Sequence, residues 1–297
     1  MNKRSGIISS IVSACAFGLT PLLCNLAYEA GATPTTLVFL RNLFVIPILY
    51  LVIKFRGIDI KVDKQTLFKI FLVAVFGMTA TALLLYNAYN YLPSGSVTTL
   101  HFLYPVFVSF IGIIFFKEHV SRNKGLILTI ATCGIFFFME TGTELETHKL
   151  ILGIVLSVSS ALSYAFYLVG IERFDLKRLN AYTFTFYLSL CSEIIVTIGG
   201  LLHGSLVFSN LSPITYLYGF IISMVASMLG ISALFNGIKH IGATSAAIYS
   251  LFEPVVAVIA GVLLLQERLS LMRAIGCIVI LGSVLIISKM SHSHVKY

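Results

Sequence analysis

One stretch of the sequence occurs twice and predicts how the chain folds. Residues 104–124 read YPVFVSFIGIIFFKEHVSRNK, and 149 positions later residues 253–273 read EPVVAVIAGVLLLQERLSLMR. Proline, glycine and acid recur at this one offset, so that Pro105 aligns with Pro254. An apolar composition alone would not reproduce these landmarks. The alignment therefore predicts two copies of one structural unit.

The composition shows which solvent surrounds those units. The chain has 297 residues, of which 58% are hydrophobic and 11% are charged, and its mean hydropathy is +0.98. A soluble domain carries about 25% charged residues, and a soluble protein of this size could not hide so much apolar surface. Composition therefore excludes a soluble enzyme, a disordered protein and a secreted disulfide scaffold. It predicts an all-α polytopic membrane protein.

Ten apolar stretches are long enough to cross a membrane, which takes about 20 residues. They cover residues 5–27, 35–53, 67–87, 94–116, 124–140, 150–171, 182–202, 213–236, 243–265 and 271–288. The repeat places five in a first unit, 5–140, and five in a second, 150–289, with 290–297 as a short cytoplasmic tail. Because five is odd, the two units are predicted to be inverted relative to each other. Inverted repeats are typical of secondary transporters, which bind solute near mid-membrane between them.

Positive charges between the stretches predict the orientation. With the N terminus in the cytoplasm, 16 Lys and Arg residues lie on the cytoplasmic side and 3 on the outer side, and Arg41 is left inside a span. Cytoplasmic loops collect positive charge, so both termini are expected in the cytoplasm, at a bacterial cytoplasmic membrane. The same rule explains the net charge of +8 without a nucleic-acid partner.

The sequence gives no reason to expect a cofactor. Its five cysteines lie in apolar stretches and lack metal-binding spacing, and the chain contains no P-loop motif. We therefore expect neither a metal site nor a built-in ATPase. Transport is expected to use a gradient, exchange or an external partner.

Several motifs resemble those of the EamA-type transporters of the drug/metabolite transporter superfamily. Phe17-Gly18 stands where that family often has Trp-Gly, and Pro34 followed by Arg41 resembles the opening of its second helix. The family signature of proline, acid, serine and glycine occurs in both halves, at Pro105, Glu118, Ser121 and Gly125, and at Pro254, Glu267, Ser270 and Gly276. The chain departs from the pattern in having no Trp. The resemblance implies a ten-helix fold and export of amino acids or related metabolites.

Three charged residues inside predicted spans are candidates for the solute site: Arg41, Glu193 and Glu253. A charge at mid-membrane needs a partner or a wet cavity. Glu253 precedes Pro254, which tends to kink a helix, and it is expected to carry a proton, to bind a substrate ammonium or to serve structure alone. Glu193 lies at a similar depth and is expected either to take part in the site or to face a helix interface and stay protonated, bonded to a serine such as Ser189 or Ser192. Arg41 is expected to hold a substrate carboxylate, to pair with an acid, or to reach the outer surface.

Aromatic residues complete the candidate site. His101 and Tyr104 lie one turn apart on the fourth span and align with Ser250 and Glu253 in the repeat. Positions related by the repeat are expected to approach each other near the central cavity, so this face is predicted to border the solute. Aromatic faces attract cationic or aromatic solutes. Further tyrosines are therefore candidate wall residues, with helix packing as the alternative: Tyr86, Tyr164, Tyr167 and Tyr249.

Together these features predict a secondary transporter that exports a small metabolite, with an amino acid as the first expectation. A cation or drug exporter is the alternative, because acids and aromatic residues suit a cationic solute. A lipid-modifying membrane enzyme is disfavoured, since the sequence has no His-rich metal box, D-x-x-D pair or nucleophile elbow. The expected partners are a small-molecule solute and the lipid bilayer. Proton coupling and a homodimer stay open.

Overall fold

The structure is a computed structural model that describes residues 3–92, 94–117, 122–135, 137, 147–209, 211–264 and 271–293. Within these ranges every regular element is a helix, which confirms the predicted all-α class. The signature residues Glu118, Ser121, Glu267 and Ser270 lie outside the described residues.

The helices of the described ranges follow the predicted spans. In chain order they are α1 (Lys3–Glu29), α2 (Pro34–Phe55), α3 (Lys64–Ala88), α4 (Ser96–Phe116), α5 (Arg122–Ile135), α6 (Thr147–Arg173), α7 (Ala181–Leu202), α8 (Pro213–Ile241), α9 (Ala243–Leu264) and α10 (Leu271–Ser293). Eight of them, all except α5 and α10, are long and apolar enough to cross a membrane. The chain is therefore an integral membrane protein.

The fifth and tenth predicted spans correspond to α5 and α10. The described part of α5 has 14 residues, and the apolar stretch within α10 is Ala274–Ser283. Both are shorter than the roughly 20 residues that a bilayer requires. The total of ten spans therefore stays a prediction.

Short polar residues start several helices. Thr33 accepts a hydrogen bond from the Thr36 N–H at 3.1 Å before α2, whose first residue is a proline, a position where the missing N–H costs nothing. Asp63 accepts bonds from the N–H and hydroxyl of Thr66 at 2.9 and 2.6 Å before α3. Those bonds favour the charged carboxylate and lower the pKa of Asp63. The ends of these helices are thus encoded locally.

α4 and α9 are both interrupted near their middle. In α4 the first half ends at His101 and the second begins at Tyr104; in α9 the corresponding residues are Ser250 and Glu253. A proline follows each restart. Proline lacks an N–H, and its ring collides with the carbonyl four residues earlier, which here belongs to the last residue before each break. The two breaks therefore have one cause, at positions 149 residues apart.

A second irregularity also occurs twice. α3 contains a π-helical segment at Val73–Thr79, and α8 contains one at Ser223–Ile231. Such segments are rare and widen a helix locally. Their places in the two halves of the chain again differ by about the repeat offset. The two units therefore share their departures from regular helix, while their inverted arrangement stays a prediction.

The first half of α1 is packed closely against the end of α8. A Cβ atom on Gly6 would lie 2.7 Å from the Cβ of His240, which is too close for any side chain but hydrogen. Further along, Ser13 Oγ donates a hydrogen bond to the Gly230 carbonyl at 2.9 Å. This contact closes one end of the bundle.

Glu172 of α6 joins the same end of the bundle to α9. Its Oε2 accepts a hydrogen bond of 2.6 Å from the N–H of Ala243, the first residue of α9, and its Oε1 lies 3.2 Å from Lys177 Nζ. Gly242, just before the helix, has a φ of +80°, a conformation that favours glycine. A carboxylate is stabilising at a helix N-terminus, so Glu172 fixes the start of α9 against α6.

Candidate solute-binding cavity

A cavity of about 180 Å³ lies inside the bundle. Its wall is formed by α1, α2, α3, α4, α6 and α9. On α1 the lining runs only from Phe17 to Asn25, because the first half of that helix is packed against α8. Five of the nine predicted site residues border the cavity: Arg41, Tyr86, His101, Tyr164 and Glu253.

Glu253 borders the cavity as the first residue after the break in α9. The residue is 6% exposed, and its Oε1 accepts a hydrogen bond from Tyr104 Oη at 3.4 Å. Tyr104 is fully buried behind it. Gly18 of α1 lies against the same turn, since a Cβ on Gly18 would come within 2.7 Å of the Glu253 carbonyl oxygen. The Phe17-Gly18 motif thus has a physical reason, because only glycine lets α1 approach the break this closely.

Arg41 enters the cavity from α2 and is 4% exposed. Its Nε donates a hydrogen bond to Ser227 Oγ at 2.7 Å, and its Nη1 donates to Tyr86 Oη at 3.4 Å. Within the described part of the chain, no carboxylate oxygen lies within 4 Å of its guanidinium. The cation is therefore held by neutral hydroxyl groups, and its charge is not cancelled by a neighbouring acid.

His101 borders the cavity just before the break in α4. Its Nδ1 lies 2.9 Å from Ser160 Oγ, and Ser160 donates its own hydroxyl hydrogen to the Ser157 carbonyl at 2.6 Å. A hydroxyl has one hydrogen to give, so the hydrogen between the two side chains is assigned to Nδ1 of His101. In the neutral ring this leaves Nε2 as a hydrogen-bond acceptor.

Tyrosine rings form one wall behind these polar groups. Tyr164 of α6 borders the cavity and packs edge-on against Tyr104 with a ring-centroid distance of 4.7 Å. Tyr167 stacks on Tyr164 with a ring-centroid distance of 5.6 Å, and Phe17 packs edge-on against Tyr164 with a ring-centroid distance of 6.5 Å. Such aromatic arrangements are favourable beyond their buried area. The wall is therefore rigid and presents ring surface beside Glu253.

Two predicted site residues lie elsewhere. Tyr249 is buried in the core on α9 and does not border the cavity. Glu193 also lies away from it, half-buried on the face of α7 that carries Phe186, which packs against α2. Depth along a span suggested that Glu193 would be near the solute, but depth does not say which way a side chain faces.

The cavity also includes polar residues that the sequence analysis did not single out: Thr20, Thr81, Tyr89, Thr98 and Thr99. Threonine is common in membrane helices, so its presence alone signals nothing. Thr98 could have been predicted from the sequence, because it lies one turn before His101 and shares its helix face. The other four depend on how separate helices meet.

The lining of the cavity combines charged, polar and aromatic groups. The cavity offers a guanidinium, a carboxyl group, an imidazole nitrogen and aromatic faces to one small molecule. No cluster of three or more His, Cys, Asp or Glu side chains suited to a metal ion occurs among the described residues.

Several known proteins are similar to this chain. The uncharacterized transporter YcbK of Bacillus subtilis (strain 168) is 25% identical over 285 residues, which cover 92% of this chain and 89% of that protein. An uncharacterized transporter of Archaeoglobus fulgidus is 26% identical over 77% of this chain and 80% of its own length. The uncharacterized transporter sll1319 of Synechocystis sp. is 27% identical over 72% of this chain, and the match spans only 64% of that protein.

Fold and family are supported by two further comparisons. A crystal structure of another protein superposes on 99% of this chain and 99% of its own, with a TM-score of 0.83 at 13% sequence identity, which shows a shared fold. The model of the EamA-like transporter family matches twice, over residues 4–139 and 151–289. These matches cover nearly the whole sequence. The chain therefore belongs to the EamA-like transporter family.

Proposed function

We propose that this protein is a secondary transporter that exports amino acids or related small metabolites by alternating access. In this proposal ten helices form two inverted units, 5–140 and 150–289, in a bacterial cytoplasmic membrane. Both termini, including the tail 290–297, lie in the cytoplasm. Rocking of one unit against the other carries the solute across. Family membership supports transport, and the cavity supports the choice of solute.

The observation that carries the choice of solute is an arginine and an acidic side chain in one cavity. Arg41 and Glu253 both border it, and neither forms an ion pair within the described residues. An uncompensated charge inside a membrane is costly. An amino acid has a carboxylate for Arg41, which can bind it through two parallel hydrogen bonds, and an ammonium for Glu253. Binding of the zwitterion therefore neutralises both side chains at once.

The cavity size supports a small solute. Its volume is about 180 Å³, and a cavity of about 150 Å³ already holds a benzene molecule. A small amino acid or comparable metabolite fits this space, whereas a lipid or a peptide does not. His101 Nε2 and the threonines of the wall supply further hydrogen-bonding groups.

The two ends of the bundle differ in a way that suits alternating access. The cavity lining extends towards the ends of α1, α3 and α9, as far as Asn25, Tyr89 and Gly261. The opposite end is closed by the contact of Gly6 with α8 and by the hydrogen bond between Glu172 and α9. Transport requires these closing contacts to open as the cavity closes on its other side.

An organic cation is the second candidate solute, because the wall of Tyr164, Tyr104 and Phe17 lies beside Glu253. Aromatic faces attract cations. The charged residues separate the two candidates. Arg41→Gln is expected to abolish amino-acid flux and spare cation flux, whereas Glu253→Gln is expected to abolish cation flux and to lower amino-acid flux without abolishing it.

The test is a flux measurement on purified protein in liposomes, with labelled amino acids and organic cations and with or without a pH gradient. Saturable amino-acid flux that Arg41→Gln removes is the expected result, with empty liposomes as the background. Flux of cations alone supports the second candidate. Folded protein that moves neither solute class contradicts the proposed choice of solute.

A further inference from the structure

Glu193 belongs to a second polar site, separate from the cavity. It lies on a stripe of α7 that also carries Phe186 and Ser189, at spacings that share one helix face. This stripe faces α2, where Phe186 packs with Val45 and Leu49. Glu193 is half-buried, and its Oε2 is buried without a hydrogen-bond partner among the described residues.

Ser189 is the natural partner of this oxygen. It lies one turn before Glu193 and is 1% exposed, and its Oγ is likewise buried without a hydrogen-bond partner in the described ranges. The adjacent Ser192 is already engaged, because it accepts from Asn42 Nδ2 at 3.0 Å and lies 2.7 Å from Thr79 Oγ1. Buried polar atoms left unpaired cost free energy, so a hydrogen bond between these two atoms of one helix face would be stabilising.

No charged group is placed to neutralise an ionised Glu193. Among the described residues it takes part in no ion pair, and Arg41 of α2 donates to Ser227 and Tyr86 instead. α8 contributes Met224 and Met228 to this contact. The other titratable residues on these four helices are Arg41, Tyr50 and Lys54 on α2, Lys64, Lys69 and Tyr86 on α3, Tyr182, Tyr187 and Cys191 on α7, and Tyr216, Tyr218, Lys239 and His240 on α8.

We propose that Glu193, with Ser189 as its hydrogen-bond partner, is a proton-binding site that couples transport to a proton gradient. An unpaired carboxylate at this depth is costly. Once a proton binds, the carboxyl group can donate a hydrogen bond to Ser189 Oγ, which satisfies both buried atoms. One carboxylate and one hydroxyl are too few ligands for a metal cation, which takes about six oxygens, so the ion that fits is the proton.

The contact between α2 and α7 provides the route from this site to the solute. Asn42, which bonds to Ser192 beside Glu193, directly follows Arg41 on α2. A change in the α2–α7 contact on proton binding therefore moves the residue next to the cavity's only described cation. The coupling rests on the proposed transport function, whereas proton binding by Glu193 does not.

Proton binding is tested by reaction with dicyclohexylcarbodiimide, which reaches carboxyl groups from the bilayer and modifies their protonated form. Purified protein in liposomes is treated between about pH 5 and pH 9, a range that covers the raised pKa values documented for buried glutamates in proteins, and the modified residue is identified by peptide mass spectrometry. We expect label on Glu193 that decreases as the pH rises. Ser189→Ala is expected to lower the labelled fraction at a given pH, and the control Thr197→Val, one turn beyond Glu193, to leave it unchanged.

Coupling is tested with Glu193→Gln in the flux assay. One proton per solute and a gradient of one pH unit can drive about tenfold accumulation, since one unit corresponds to about 1.4 kcal/mol. The wild-type protein is expected to accumulate solute in this way. Glu193→Gln is expected to lose the accumulation while keeping solute exchange without a gradient within about twofold.

The outcomes separate this inference from the proposed function. Label on Glu193 that is absent throughout, or that does not change with pH, overturns the proton site. Gradient-driven accumulation that survives Glu193→Gln overturns its role in coupling. If the wild-type protein moves no solute yet Glu193 titrates in the labelling experiment, the proposed transport function fails and the proton site stands.

Discussion

The breaks in α4 and α9 have the same backbone form but offer different chemistry. Each is caused by a proline, and each places two side chains one turn apart near the cavity. In α4 these are His101 and Tyr104, which are neutral hydrogen-bonding aromatic residues; in α9 they are Ser250 and Glu253. The only carboxyl group at either break is on α9, and Tyr104 donates its hydroxyl to it.

This difference shows how a repeated fold can build an asymmetric site. The backbone break follows from proline and is retained in both halves. The side chains at the break are free to differ, because each is surrounded by different helices: α1 packs on the α9 break through Gly18, and α6 packs on the α4 break through Ser160. A solute with two unlike ends matches such a site better than a symmetric one does.

The largest expected effect on flux distinguishes Glu253 at the α9 break from Tyr104 at the α4 break. Glu253→Gln keeps the shape of the side chain but cannot carry the negative charge that pairs with a substrate ammonium. Hydrogen bonds to charged groups contribute about 1.5–3 kcal/mol, so kcat/KM for amino-acid flux should fall about 10- to 100-fold. Tyr104→Phe removes only a 3.4 Å donor and should lower it by less than about tenfold. Equal losses in the liposome assay would contradict the distinction between the two breaks.

The packing of α1 on the α9 break predicts the next effect. Gly18→Ala forces a methyl group against the Glu253 carbonyl and should lower the free energy of unfolding by about 1–3 kcal/mol. Gly199 of α7 is the matched control, because no atom lies within 4 Å of the position of its Cβ. Gly199→Ala is expected to be neutral or stabilising by up to about 1 kcal/mol. Thermal unfolding in detergent measures both; similar melting temperatures for the two variants would show that α1 does not constrain the break.

The start of α9 predicts a smaller effect. Glu172→Gln weakens the acceptor for the Ala243 N–H and should cost about 1 kcal/mol. The control is Asp175→Asn just after α6, where the ion pair with Arg178 is more than 60% exposed on both sides and is worth at most about 0.5 kcal/mol. Melting temperatures again give the readout. An Asp175→Asn variant as destabilised as Glu172→Gln would refute a specific role for Glu172.

The smallest effect concerns the α4 break. Ser160→Ala removes the partner of His101 Nδ1, a neutral hydrogen bond worth about 0.5–1.5 kcal/mol, and should reduce flux by about two- to tenfold. Ser109→Ala is the control on α4, because Ser109 Oγ is buried without a hydrogen-bond partner among the described residues. We expect it to leave flux unchanged. A Ser160→Ala variant with wild-type flux would show that the orientation of His101 is unimportant.

Much of the architecture could be read from the sequence. Eight of the ten predicted spans recur as helices of sufficient length and apolarity, because each span is a local property of about 20 consecutive residues. The prolines that break α4 and α9 are equally local signals. Arg41, Tyr86, His101 and Glu253 were chosen from the sequence and border one cavity, and their part in solute binding stays a prediction.

The rest of the site was beyond sequence reasoning for a common reason. Glu193 and Glu253 are both acids in the middle of a span, yet only Glu253 borders the cavity. A uniformly apolar helix carries little periodic signal to show which face turns inward. The threonines of the wall and the partner of His101 were hidden in the same way.

Local chemistry accounts for the membrane location, the helical class, the helix starts and the two breaks, because composition, capping residues and proline act within one or two turns. Only the tertiary structure decides which side chains meet. Arg41 and Ser227 are 186 residues apart, and Tyr104 and Glu253 are 149 apart. Whether such pairs touch depends on how the helices rotate and pack. Lipid does not favour one apolar helix face over another, so the helix orientations depend on close contacts such as that of Gly18 with α9.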